Sequence, residues 1–286
     1  MKIPLQKIID SGIEKSGVNL FVLRLDLIHP TISGNKWYKL KYNLEEAKKQ
    51  KKETLLTFGG AFSNHIASTA AAGKEFGFKT IGIIRGEELN EDENKTLRFA
   101  KECGMELHFV SREDYKEKKI PNSLTQQLNN FFLLPEGGTN ELAVKGCAEI
   151  VSHIDISFDF VCCPVGTGGT IAGIISSLKE KQKAIGFSVL KGAEFLKGEI
   201  EKLIPKKNNW ELNFDYHFGG YAKHAPELLK FISDFEKQNG IPLEHVYTGK
   251  MMFGIYDLIK KKYFPKNSTI VAIHTGGFQG RLTPPC

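Results

Sequence analysis

Twice in this chain of 286 residues a short apolar run ends in glycines and opens straight into helix-forming sequence. Those two junctions constrain the fold more than any other feature. Thr54-Leu55-Leu56-Thr57-Phe58 runs into Gly59-Gly60, and a small apolar stretch over 61–72 follows. Asp159-Phe160-Val161-Cys162-Cys163-Pro164 leads to Gly166-Thr167-Gly168-Gly169-Thr170, with a helix opening at Ile171. Short apolar runs bounded by turn residues read as buried strands, and a strand-turn-helix is the first half of a parallel crossover. Further strands are expected over 20–25, 80–86, 106–110, 184–189 and 269–273. Helices are expected over 45–52, 94–103, 141–154, 226–238 and 249–262, and 114–130 reads as polar and partly helical. Strands alternating with helices predict an α/β fold, each domain a mostly parallel sheet flanked by helices. The segment 131–140 reads as a glycine-rich turn and 194–220 as irregular. Two α/β units with no linker between them predict one inserted in the other. The large domain is expected over 1–41 and 147–286 and the small inserted domain over 42–146, with a cleft between them.

Composition removes several function classes. Hydrophobic content of 41% and charged content of 25% are those of a soluble globular protein. The net charge of +6 is mild, and the short lysine runs at 51–52, 116–119 and 260–262 read as solvated helix ends rather than a nucleic-acid stripe. No apolar stretch reaches membrane-spanning length and no signal peptide is recognised at Met1-Lys2-Ile3-Pro4, so a cytoplasmic protein is expected. The five cysteines (Cys103, Cys147, Cys162, Cys163, Cys286) show no framework spacing and read as reduced thiols. The eight histidines show no metal-ligand spacing, so no metal is expected.

Three stretches carry chemistry. Ser33-Gly34-Asn35-Lys36 follows a strand and the turn His29-Pro30-Thr31, and precedes a helical pattern with Leu40 and Leu44 among charges. Lys36 therefore falls at a helix start, where positive partial charge disfavours an ammonium. With partial burial, that lowers a lysine pKa and makes the amine a usable nucleophile or base. Taken alone, Lys36 reads as one more surface lysine; the rest of the chain changes that. The loop Gly166-Thr167-Gly168-Gly169-Thr170 offers backbone N–H groups and two hydroxyls at a helix start, which suits one phosphate. It lacks the Gly-Lys-Ser/Thr of a nucleotide loop, and Ile171 stands where a dinucleotide fingerprint has its third glycine. Gly59-Gly60-Ala61-Phe62-Ser63-Asn64-His65 places Ser63 and Asn64 at another helix start, a geometry that suits a carboxylate, although a Ser/Asn cap has the same appearance. A reactive amine, a monophosphate cup and a carboxylate cup are together what a pyridoxal 5′-phosphate enzyme needs.

Five motifs occur in one order: Ser-Gly-Asn-Lys at 33–36, Gly-Gly-x-x-Ser-Asn-His at 59–65, the glycine-threonine loop at 166–170, Tyr247-Thr248-Gly249-Lys250, and His274-Thr275-Gly276-Gly277. In this the chain resembles the D-cysteine desulfhydrase and 1-aminocyclopropane-1-carboxylate (ACC) deaminase family, of the fold type II, tryptophan-synthase-β-like group. The resemblance covers nearly the whole chain. It implies that Lys36 holds the cofactor and, once freed by substrate, moves the Cα proton. It implies that Asn64 bonds the pyridine 3′-oxygen, that Ser63 with the N–H groups of Asn64 and His65 holds the substrate carboxylate, and that Gly166, Thr167, Gly168, Gly169 and Thr170 hold the phosphate. Tyr247 and Tyr221 resemble two tyrosines on the family's substrate side; a packing tyrosine is the other reading of Tyr221. A homodimer is implied too.

The family's two activities are separated by Thr248 and Thr275. In the ACC deaminase pattern an acidic residue follows the tyrosine matching Tyr247, and a leucine stands where Thr275 is. A carboxylate beside the pyridine nitrogen strengthens the electron sink, which a neutral hydroxyl cannot do equally. Ring opening should need that more than loss of a thiolate does. The expected reaction is therefore α,β-elimination of a D-amino acid, D-cysteine giving pyruvate, hydrogen sulfide and ammonia. ACC ring opening to 2-oxobutanoate, a fold type II lyase or synthase acting on an L-amino acid, and a non-catalytic pyridoxal phosphate-binding homologue are the alternatives. The chain looks short for the family, and Trp37-Tyr38 and Phe62 stand where smaller or more polar residues are expected.

Overall fold

The computed structural model describes residues 2–89, 94–122, 124, 130–204 and 206–278. Cys286 and most of 123–129 lie outside them. Among the described residues, ten strands fall into two sheets. Six strands, β1 (Leu5–Lys7), β2 (Asn19–Leu23), β7 (Phe160–Val165), β8 (Lys183–Ser188), β9 (Trp210–Asn213) and β10 (Thr269–Ile273), form one sheet in the order β1-β2-β10-β7-β8-β9. All its pairings are parallel except β1 with β2. The other four, β3 (Thr54–Gly60), β4 (Lys79–Arg85), β5 (Met105–Val110) and β6 (Phe131–Leu134), form a fully parallel sheet in the order β5-β4-β3-β6.

The sequence explains which strands are central. In β7 every residue from Val161 to Val165 is buried, and in β3 all but the terminal Gly60, as befits strands covered on both faces. Pro164 is tolerated within β7 because the ladder to β10 ends at Cys162, so its missing N–H leaves no bond unmade there. The two stretches expected to be a turn and an irregular segment each contain a strand, which corrects both readings. β6 and β9 have four residues each and lie at sheet edges, and every residue of β9 is only half-buried. So short and half-polar an edge strand carries little periodic signal.

The expected helices at Lys36 and over 45–52 are one continuous helix, Asn35–Lys49. It joins an apolar cluster of each sheet. Tyr38 packs with Val161 and Ile171 beneath the large sheet, while Leu40, Leu44 and Ala47 pack with Leu55, Ala71 and Leu134 of the small one. The carboxyl ends of β3, β7 and β10 run into Gly59-Gly60, Val165-Gly166 and His274-Thr275 respectively. Crevices at the carboxyl ends of parallel strands are where α/β folds build sites.

Candidate active site

Lys36 is the second residue of its helix, and Gly34 caps it with φ +67°. The turn is glycine because it lies against the chain leaving β10: a Cβ at Gly34 would stand 1.7 Å from the Thr275 carbonyl oxygen. The Asn35 N–H donates to that same oxygen at 3.1 Å, and the Gly277 N–H donates to Ser33 Oγ at 3.3 Å. His274 holds this crossing in place, its Nε2 donating to Pro242 O and its Nδ1 accepting from the Gly276 N–H. The lysine is thus fixed by three segments distant in sequence. Its Nζ donates to Asn35 Oδ1 at 3.2 Å, and Asn35 in turn donates to Thr170 Oγ1 at 2.7 Å. Burial, and then the neighbouring charge of Lys39, lower the Lys36 pKa to about 7. The uncharged amine is therefore accessible near neutrality.

The loop after β7 faces Lys36 across the cleft. Gly168, at φ +84°, caps the helix Gly169–Ser177, which opens two residues before the expected Ile171. Lys39, one turn along from Lys36, reaches toward the same loop. Its Nζ donates to Gly137 O at 2.8 Å, Thr139 Oγ1 at 2.9 Å and Thr167 Oγ1 at 3.4 Å. Burial brings its pKa down to about 8. A cation, free N–H groups and two threonine hydroxyls around one loop make an anion cup. Sequence reasoning passed over Lys39; its place one turn after Lys36 is the signal that could have found it.

On the opposite wall, Ser63 caps the helix Asn64–Phe76, its Oγ accepting from the Ile66 N–H at 3.3 Å. Asn64 donates to Gly277 O at 3.3 Å, and its Oδ1 has no partner among the described residues. The Thr57 hydroxyl donates to Leu134 O, so the His65 Nε2, 2.9 Å from Thr57 Oγ1, must carry the proton. That leaves His65 Nδ1 an acceptor, buried and without a partner among the described residues. Burial holds this histidine well below its ordinary pKa and keeps it neutral. Two orphaned polar atoms lining one cleft are costly unless a ligand meets them.

Lys36, Ser63, Asn64, His65, Gly166, Thr167, Gly168, Thr170, Tyr247 and Thr275 all line this cleft. Three expected site residues do not. Gly169 lies beneath Thr139, whose Oγ1 would be 2.8 Å from an added Cβ. Tyr221 stands outside, its ring edge-on to that of Tyr247 at 6.0 Å. Thr248 is fully buried, and its hydroxyl donates to Glu244 Oε1 at 3.1 Å. Glu244 is a buried carboxylate that sequence reading missed. It accepts the N–H groups of Val246, Tyr247 and Thr248 at 2.6–2.8 Å, and so fastens the start of the helix Thr248–Lys260. Burial nonetheless raises its pKa. The residues present fit pyridoxal phosphate: an amine of lowered pKa for its aldehyde, an anion cup for its phosphate, and polar atoms unpartnered among the described residues between them.

A family model described as pyridoxal-phosphate dependent enzyme matches residues 2–276. A Pyrococcus furiosus protein provisionally named as a 1-aminocyclopropane-1-carboxylate deaminase is 30% identical, over 92% of this chain and 86% of its own length. A mitochondrial Arabidopsis thaliana protein, named as a bifunctional D-cysteine desulfhydrase/1-aminocyclopropane-1-carboxylate deaminase, is 31% identical over 93% of this chain and 74% of its own. The crystal structure of an ACC deaminase homologue superposes with a TM-score of 0.87 at 28% identity, covering 98% of this chain and 90% of that one.

Proposed function

This chain belongs to the pyridoxal-phosphate dependent enzymes, and from that premise we propose that it catalyses α,β-elimination of a D-amino acid, with D-cysteine giving pyruvate, hydrogen sulfide and ammonia. One observation carries the choice. Among the described residues, no aspartate or glutamate lines the cleft. The hydroxyl of Thr248 is held by Glu244, away from the cleft, and Thr275 brings no charge. A pyridine nitrogen without a carboxylate partner makes a weaker sink, which suits loss of a thiolate better than opening of a cyclopropane.

Bound pyridoxal phosphate supplies the electron sink that stabilises negative charge at the substrate Cα. The side chains do the rest. Lys36 would hold the cofactor through its amine, and the same amine, when free, would take the Cα proton. A pKa near 7 leaves it competent as a base at neutral pH. Gly166, Thr167, Gly168 and Thr170 would hold the phosphate with Lys39 beside them, and Asn64 would meet the ring 3′-oxygen. Ser63, with the N–H groups of Asn64 and His65, fixes the substrate carboxylate and so orients the Cα–H bond toward Lys36. Tyr247, with Tyr221 behind it, closes the substrate side. The small domain, 42–146, then supplies the carboxylate loop, and the large domain, 1–41 and 147–286, supplies the lysine and the phosphate cup.

The test is product analysis of purified holoenzyme with D-cysteine, L-cysteine and ACC. Sulfide and pyruvate from D-cysteine alone are expected. 2-Oxobutanoate from ACC, or turnover of L-cysteine in preference to D-cysteine, would overturn the reading.

A further inference from the structure

Lys250 is a buried lysine that the proposed chemistry leaves unused. Its side chain is 1% exposed, in the first turn of the helix Thr248–Lys260. The amine does not line the cleft. It donates instead to the carbonyl oxygens of His217 at 2.8 Å and Gly220 at 2.7 Å. Burial lowers its pKa to about 8, against the opposing charge of Glu244. The carboxylate of Glu244 is itself occupied by backbone N–H groups. Keeping a desolvated cation for two carbonyls is costly, so those carbonyls call for an explanation.

They belong to a segment of unusual backbone. Phe218, Gly219, Gly220 and Ala222 have φ of +51°, +92°, +119° and +57°. Two of the four are not glycine, and such a conformation persists only when surrounding contacts hold it. The residue set in the middle of this segment is Tyr221, 38% exposed and edge-on to Tyr247 at 6.0 Å. The Tyr247 ring in turn lies over Gly166, where an added Cβ would stand 3.2 Å from it. A chain of contacts thus runs from the Lys250 amine, through two carbonyls and Tyr221, to Tyr247 and the anion loop.

We infer that Lys250 is a positioning residue: it clamps the 217–222 segment so that Tyr221 is held against Tyr247 at the mouth of the cleft. The inference rests on the proposed function in one respect, that Tyr221 stands on the substrate side. Lys250 itself touches neither substrate nor cofactor.

A double-mutant cycle tests it. Lys250→Met is expected to keep the visible band of bound cofactor and to lower kcat/KM for D-cysteine on the order of tenfold to a hundredfold. In a Tyr221→Ala background the same substitution is expected to cost nothing further, because what it positions is gone. Losses that multiply in the double variant, or a fully active Lys250→Met, overturn the inference. Should Lys250→Met yield no holoenzyme, amide exchange in Lys250→Gln decides. Faster exchange confined to 217–222 supports the clamp, whereas exchange that is unchanged or raised throughout the chain overturns it. Wild-type enzyme that turns over no D-amino acid sinks the functional reading instead, and the exchange measurement then decides the clamp by itself.

Discussion

Three lysines, the partly buried Lys36 and the buried Lys39 and Lys250, all have lowered pKa values, so depressed basicity does not by itself pick out the reactive one. Hydrogen bonding does. Lys39 has three acceptors and Lys250 two carbonyls, while Lys36 has a single long contact to Asn35. The least engaged amine is the freest to attack a carbonyl. Since only the uncharged amine attacks, the rate at which apoenzyme acquires its visible band with added pyridoxal phosphate should rise with pH through about 7 and then level off. The Lys39 charge is one of the causes of that low value, so Lys39→Met should move the midpoint upward. Stopped-flow absorbance across pH checks both. Lys36, Ser63 and the glycine loops were legible in the sequence because each sits next to a strand-helix junction that betrays it. Lys39, Lys250 and Glu244 were not, because their roles depend on where a long side chain ends, and spacing along the chain does not encode that.

At the scale of elements, the site is held by close backbone crossings and by caps. The segment Ser33–Lys36 meets the chain leaving β10 so tightly that any side chain at Gly34 collides with the Thr275 carbonyl. Gly34→Ala should therefore lose the visible cofactor band, and a spectrum of the purified variant decides it. The entry to the helix Thr248–Lys260 depends on Glu244, which accepts the N–H of its first residue, Thr248, and those of the two residues before it, Val246 and Tyr247. Glu244→Ala should destabilise the protein by about 3 kcal/mol, read as a lower denaturation midpoint in urea. β10 and the strand parts of β3, β4 and β7 were readable from apolar runs buried on both faces. β1 and β9 escaped because three or four half-exposed residues at a sheet edge show neither a continuous apolar run nor clean alternation, and β6 because its four apolar residues run straight into Pro135 and Gly137-Gly138 and read as part of the turn.

Among the described residues the buried apolar side chains form five clusters, and one helix, Asn35–Lys49, contributes to two of them, one against each sheet. Its first turn carries Lys36, so the cost of burying that amine falls on the joint between the two sheets. Below about pH 7 the amine is charged whether the chain is folded or not, and the penalty is complete. Between about 7 and the ordinary value of 10.5 the unfolded chain binds more protons than the folded one, so the apoenzyme gains stability as pH rises. Lys36→Met should accordingly raise the apoenzyme's thermal midpoint at pH 6, by on the order of 5 °C, with the gain fading toward pH 10. Calorimetry at several pH values measures it. Among the described residues no helix is long and apolar enough to cross a membrane. The most direct measurement is borohydride reduction of the coloured holoenzyme followed by peptide mass mapping. Lys36 should carry the reduced pyridoxyl group, and the label should be absent from Lys36→Ala. A label on Lys39 or Lys250, or no label on any lysine, would contradict the assignment of Lys36 on which the proposed chemistry stands.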